Sequence, residues 1–298
     1  MLDVLSHILR ITVRHLGRLS CLICLLCLNI KFVYAESFIT KPSVTKPAIT
    51  KRAKIKSPLI VKHVDNHYFR QVIELALAKS KPIYGDYQIE LQEHIGSKER
   101  MRRLLQKGSY VDVLWSTTST EREKQLKPVK FSLLKKLNQY RILVLSDRET
   151  VNAFESVNTL SDLRAFTASS GTHWQDTKVF ERNKLPMVTT VKFASVFSLL
   201  RIGRVDYVAR GAYELSRELK QGYYSGLYID SRLMLKYGMD YYFFVHPDND
   251  ELHDRLLSGL QIAQADGSFD KLFFSFDEYK EGWDRVHNHQ RKLILLQD

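Results

Sequence analysis

The chain has 298 residues and a net charge of +12, from 45 Lys or Arg against 33 Asp or Glu. That length suffices for one large or two modest domains, each with its own core. Its three cysteines, Cys21, Cys24 and Cys27, all fall within one short apolar run, so the rest of the chain has no disulfide and no thiol nucleophile.

Arg10, Arg14 and Arg18 precede apolar residues running from Leu19 to Ile30, and Val33-Tyr34-Ala35 offers small residues at the spacing a signal peptidase reads. Residues 1–35 therefore read as a cleavable secretory signal peptide, with an uncleaved anchor as the alternative. The apolar run is shorter than the roughly 20 residues of a membrane span. Without these residues the balance is 41 basic against 32 acidic, or +9. Such an excess suggests nucleic acid, but part of it is local. Residues 36–57 include "SFITKPSVTKPAITKRAKIKS", with six basic residues, no acid and Thr-Lys-Pro repeated at a five-residue period. Too few apolar groups are present to offset ordering, so this segment reads as a basic flexible tether. No aromatic–basic nucleic-acid motif accompanies the charge, so no nucleic-acid partner is expected.

From Pro58 onward strands alternate with helices. "LIVKHV" predicts a strand, and Asp65 then opens a helix with apolar residues at Tyr68, Phe69, Val72, Ile73, Ala76 and Leu77. "YQIEL" reads as a strand, "SKERMRRLLQKG" as a helix stopped at Gly108, and "YVDVLW" as a strand. After Tyr140 the pattern restarts with strand "RILVLS", a short helix capped by Thr159 with Asp162, and strand "MVTTVK". Helix "FASVFSLLRIG", strands "RVDYVA" and "YYFFVH", and a long helix from Asp250 to Ala265 follow. This order predicts a parallel α/β sheet in two units, with any ligand between them at the carboxyl ends of strands. The expected boundaries are a first lobe over 58–141, a second over 142–243, and a C-terminal return to the first over 244–298.

Three stretches carry candidate chemistry. "WSTTSTERE" from Trp115 follows a strand and sets hydroxyls beside Arg122, a bidentate donor for a carboxylate; a solvated Ser/Thr loop is the plain alternative. "TASSGTHWQD", residues 167–176, reads either as a hydrolase nucleophile with its base or as a turn whose bare N–H groups meet an anion at a helix start. Ser170 lacks the preceding glycine of a nucleophile elbow, and Asp176 lies three residues after His173 on a predicted helix, so the turn is preferred. The third stretch is "GRVDYVARGAYE", Gly203 to Glu214. Metal sites from His63, Asp65 and His67, or from His287 and His289, have the right ligand types at loose spacing, and no metal or cofactor is expected.

Taken in order, "STTSTEREKQLKPVKFS", "TLSDLRAFTASSGTHW", "LLRIGRVDYVA" and "LLSGLQIAQADGSFDKLF" resemble the family 3 extracellular solute-binding proteins, over roughly residues 58–275. These are type 2 periplasmic binding proteins, mostly serving amino-acid import. "DNHYFRQVIELAL" and "GLYID" resemble a subset often encoded away from transporters. The resemblance implies a two-lobed α/β fold with a ligand cleft between lobes. It also implies Trp115 and Thr117 as stacking and polar contacts, with Ser116 beside them, and Arg122 as the carboxylate clamp. In the other lobe it implies the Gly171–Thr172 backbone; His173 and Trp174 beside it, and Arg210 and Tyr213 at the third stretch, are further candidate contacts. The span from Arg122 to Phe131 is three residues longer than the family's pattern. Where amino-acid binders carry an acid for the ligand's ammonium, this chain has Gly211 beside Arg210. The expected ligand is therefore an anionic or neutral polar metabolite. Either Glu214 or Asp206 swinging into the missing place, or Arg210 pointing outward, would restore the amino-acid reading.

The implied function is a monomeric periplasmic solute-binding protein that closes on a small molecule, for transport with an inner-membrane permease or for sensing. A periplasmic dehydratase on the same fold, with Glu214 and Asp206 as its acid/base candidates, is the enzymatic alternative.

Overall fold

The computed structural model describes residues 59–64, 66–93, 96–288 and 290–298. The expected signal peptide and tether lie outside the described residues, as do Asp65 and His289 of the two histidine clusters.

Eleven described strands form three sheets. Strand β1 (Leu59–Val64) pairs in parallel with β2 (Tyr87–Gln92), and helix α1 (His67–Tyr84) connects them. The N-cap of α1 is Asn66, whose side chain accepts from Phe69 N–H, and its buried face is the predicted one, Tyr68 through Leu77. Helix α2 (Lys98–Gln106) is capped by Ser97 and ends as expected before Gly108, which takes the left-handed φ of +62°. Strand β3 (Val113–Thr117) starts later than "YVDVLW" predicts, because Tyr110 is itself in the left-handed region. Helix α3 (Thr120–Gln125) and strand β4 (Lys127–Val129) follow.

Strand β5 (Tyr140–Leu145) opens the second body. Helices α4 (Arg148–Phe154) and α5 (Leu160–Leu163) lead to β6 (Ala168–Gly171), then α6 (Gln175–Arg182), β7 (Met187–Thr190), α7 (Phe193–Arg201) and β8 (Tyr207–Gly211). Thr159 and Asp162 make the expected capping box on α5. Helix α8 (Leu215–Lys220) and strand β9 (Tyr228–Lys236) complete this body, whose sheet order is β11-β9-β5-β8-β6-β7. Strand β10 (Tyr241–Val245) returns to pair antiparallel with both β3 and β4. Helix α9 (Asp250–Ala265) spans the predicted residues, and α10 (Ser268–Phe274), α11 (Asp277–His287) and β11 (Lys292–Leu295) follow.

Two expectations need correction. The sheets are mixed: β5 runs antiparallel to β8 and β9, and only β1/β2, β6/β7/β8 and β9/β11 pair in parallel. Nor do residues 244–298 all return to the first body, because β11 adds itself to the edge of the six-stranded sheet beside β9. The reason is burial: Ile294 and Leu296 join the core of Leu143, Tyr207 and Leu235. The expected boundary at 243 also cuts through β10.

The first body's core is α1 packed on α9, with Val72, Ile73 and Leu77 against Leu252, Leu256 and Leu260. Gly259 permits that approach, since a Cβ there would collide with the Ala76 carbonyl of α1. Helix α11 then packs on α8, so residues of the first body touch the second. There the Ser216 hydroxyl donates to Glu281, and Gly282 lies so close to Tyr213 that a Cβ would sit 2.7 Å from its Cα.

Candidate functional site

Strand β3 ends at Thr117, and Ser119 caps α3 by accepting from Arg122 N–H at 3.2 Å. This strand–turn–helix folds Arg122 back over its own strand. One guanidinium nitrogen, Nη1, donates to the Thr117 carbonyl and, at 3.0 Å, to Thr117 Oγ1. Arg122 is 7% exposed, yet among the described residues no carboxylate lies within 4 Å of it. Its Nε and Nη2 have no protein partner there, and neither is sealed from solvent. Burial, with help from nearby Arg102, lowers its pKa to about 10. Trp115, half-buried on the same strand, stacks on Phe69 with ring centroids 4.9 Å apart. Ser116 and Thr117, also half-buried, pair in register with Tyr242 and Tyr241.

The stretch "TASSGTHWQD" is neither of the two expected things. Ala168 to Gly171 is a buried strand, and α6 begins only at Gln175. The Thr172 N–H, expected to be bare, donates to Thr190 O at 2.9 Å, and a Cβ at Gly171 would collide with the Trp174 indole. The Gly171–Thr172 backbone is therefore covered rather than open to an anion. His173 is exposed, Ser170 Oγ pairs with Thr177 Oγ1 at 2.8 Å, and Asp176 accepts from Arg141 Nε at 2.6 Å and from the Tyr237 hydroxyl. Ser170 and Asp176 are bound to other partners and His173 stands exposed, so the three make no hydrolase triad.

Arg210, expected to attract an anion, is already paired with two carboxylates of its own body. At 6% exposed, it sends Nε to Glu218 Oε2 at 3.0 Å and Nη2 to Glu218 Oε1 at 2.5 Å, while Glu214 Oε2 lies 2.8 Å from Nη2. Burial opposes its charge, but Glu214 and Glu218 outweigh that and hold the guanidinium above its ordinary range. Two carboxylates against one guanidinium leave a net negative charge here, the reverse of the expectation. Glu214 lies against the Gly211 backbone: its Oε2 accepts from Gly211 N–H at 2.9 Å and would lie 2.9 Å from a Cβ at Gly211. Its side chain keeps 21% of its surface exposed. Asp206 instead braces the backbone, accepting from Thr167 N–H at 2.6 Å. The two carboxylates of the dehydratase alternative are thus committed to different tasks.

Tyr213 links the two bodies. Its hydroxyl donates to Asn138 Oδ1 at 3.2 Å, and its ring lies 5.8 Å from that of Tyr279. Tyr241 stands opposite Thr117 in the β10–β3 register, next to the turn that carries Arg122.

No family model matches the chain, and no curated protein does. Among solved structures, it is similar to an ancestral arginine-binding protein bound to glutamine, at 18% identity and a TM-score of 0.51, over 74% of this chain and 99% of that one. It is likewise similar to a probable amino-acid ABC transporter extracellular-binding protein from Bacillus subtilis, at 16% identity and a TM-score of 0.53, over 74% of this chain and 97% of that one. At such identities the likeness concerns architecture: this chain has the two-lobed fold of the type 2 periplasmic binding proteins.

Proposed function

We propose that the chain is an exported binding protein whose lobes close on a small metabolite carrying a carboxylate and an amino group, for delivery to a permease or a sensor. The carrying observation is Arg122, a buried guanidinium with two nitrogens open and, among the described residues, no carboxylate within 4 Å. Holding such a charge costs stability unless an anion completes it, and a carboxylate matches its planar fork. Glu214 supports the amino group: it stands partly exposed at the Gly211 position within a cluster of net negative charge. The two similar structures named above, an ancestral arginine-binding protein bound to glutamine and a probable amino-acid ABC transporter extracellular-binding protein, fit that reading. Export rests on the basic and apolar pattern of residues 1–35, and no helix among the described residues is long and apolar enough to cross a membrane.

The test is calorimetry with matched pairs, an amino acid against its deaminated analogue, on the parent and on Arg122→Lys. Tighter binding of the amino acid by about tenfold, or roughly 1.4 kcal/mol, is expected. The lysine variant should lose roughly 1–3 kcal/mol with either ligand. Binding that ignores the Arg122→Lys change would remove the clamp, and equal binding of both partners would remove Glu214 from the amino site.

A further inference from the structure

The surroundings of Arg210 are those of a bound ligand rather than of a simple ion pair. Its guanidinium carbon lies 4.7 Å from the ring centroid of Trp174 and 5.4 Å from that of Phe193, so two aromatic rings face the planar cation. Glu218, 1% exposed, meets the fork bidentately and is itself fixed by the Tyr224 hydroxyl. Glu214 adds a second carboxylate from the solvent side. Aromatic faces together with a bidentate carboxylate are the chemistry by which proteins select guanidinium over ammonium. The pieces converge from separate elements: Trp174 precedes α6, Phe193 opens α7, and Glu218 lies in α8. Phe193 is 37% exposed, so the enclosure reaches the surface on that side.

We propose that Trp174, Phe193, Glu214, Glu218 and Tyr224 form a guanidinium-binding cage for which Arg210 is the built-in occupant. Emptied of that side chain, the cage takes an alkylguanidinium ligand. A consequence, which rests on the binding-protein reading, is a limit on specificity. A ligand whose side chain ends in a guanidinium finds the place at Glu218 already taken by Arg210, so the parent discriminates against such side chains.

Titration of Arg210→Ala with ethylguanidinium, followed by calorimetry or NMR, tests the cage without any natural ligand, so a failure of the carboxylate reading at Arg122 leaves this measurement intact. Saturable binding is expected, at least roughly tenfold tighter than to the parent and several-fold tighter than that of ethylammonium, which matches the charge but lacks the fork. Equal binding to the parent and the variant, equal binding of ethylammonium, or no saturation overturns the proposal. Should Arg210→Ala not fold alone, refolding with ethylguanidinium present is the second measurement. The double variant Arg210→Ala, Glu214→Gln, which removes one uncompensated charge, is the second protein. Recovery of fold or saturable binding specific to ethylguanidinium supports the cage, and absence of both rejects it.

Discussion

Replacing Arg122 with methionine sets stability against binding. Methionine has similar reach and fills the same corner without a charge. A fall of the guanidinium pKa to about 10 corresponds to roughly 3 kcal/mol by which folding disfavours the cation. The sign follows from linkage: the folded state releases its proton earlier than the unfolded one, so the penalty is fully present at neutral pH and fades only as pH rises above about 10. Against this, the substitution loses a charged donor, Nη1, that is shared between two Thr117 acceptors and is worth about 1.5–3 kcal/mol. The balance is a gain of roughly 0–1.5 kcal/mol for Arg122→Met in the ligand-free protein. In a body of this size that is an increase in Tm of at most a few °C, at about 2–4 °C per kcal/mol. The same protein should bind no carboxylate. Thermal unfolding with and without ligand reads both quantities: the parent gains stability with ligand and the variant does not. A variant that is less stable than the parent, or that still gains from ligand, would refute the reasoning. The first outcome would show Arg122 to be a structural donor, the second that the carboxylate is held elsewhere.

Asp176→Asn should leave buried Arg141 without its partner and cost about 3 kcal/mol at pH 7. Burial opposes ionisation of Asp176, but Arg141 and the Tyr237 hydroxyl outweigh it and hold the carboxyl below its ordinary range. The parent's advantage is therefore complete above the unfolded value near ~4 and shrinks as pH falls through the folded value. Denaturant unfolding from pH 7 to 2 checks this, and a gap that stays constant would exclude the ion pair as its cause. Gly259→Ala should lower stability by about 1–3 kcal/mol, because the added methyl meets the Ala76 carbonyl and α1 and α9 must move apart. An unchanged Tm would mean that the two helices have room to spare.

The elements most legible in the sequence are those whose own residues bury one face. Helix α1 shows its stripe from Tyr68 to Leu77, α9 its leucines at a four-residue interval, and the Thr159 capping box is local chemistry within four residues. The turn that carries Arg122 was also visible, because a strand end, a run of hydroxyls and an arginine are all close in sequence. Strand β6 was not: four small residues carry no periodicity, and only burial between β7 and β8 makes them a strand. Strand β11 is likewise decided by a partner from far along the chain, β9.

The charge of the second corner shows most clearly what sequence alone leaves open. Arg210 beside Gly211 reads as an unmatched cation as long as only neighbours are counted. Its partners, Glu214 and Glu218, lie four and eight residues on, across a turn from strand into helix whose geometry no local pattern specifies. Electrostatic energy depends on distances of a few ångströms, and β8 and α8 set those distances only when they pack. Residue type thus determined which groups were available for binding, and tertiary structure determined which were already spent on each other. That is why Arg122 keeps two nitrogens without a protein partner among the described residues, while Arg210 is matched by two carboxylates.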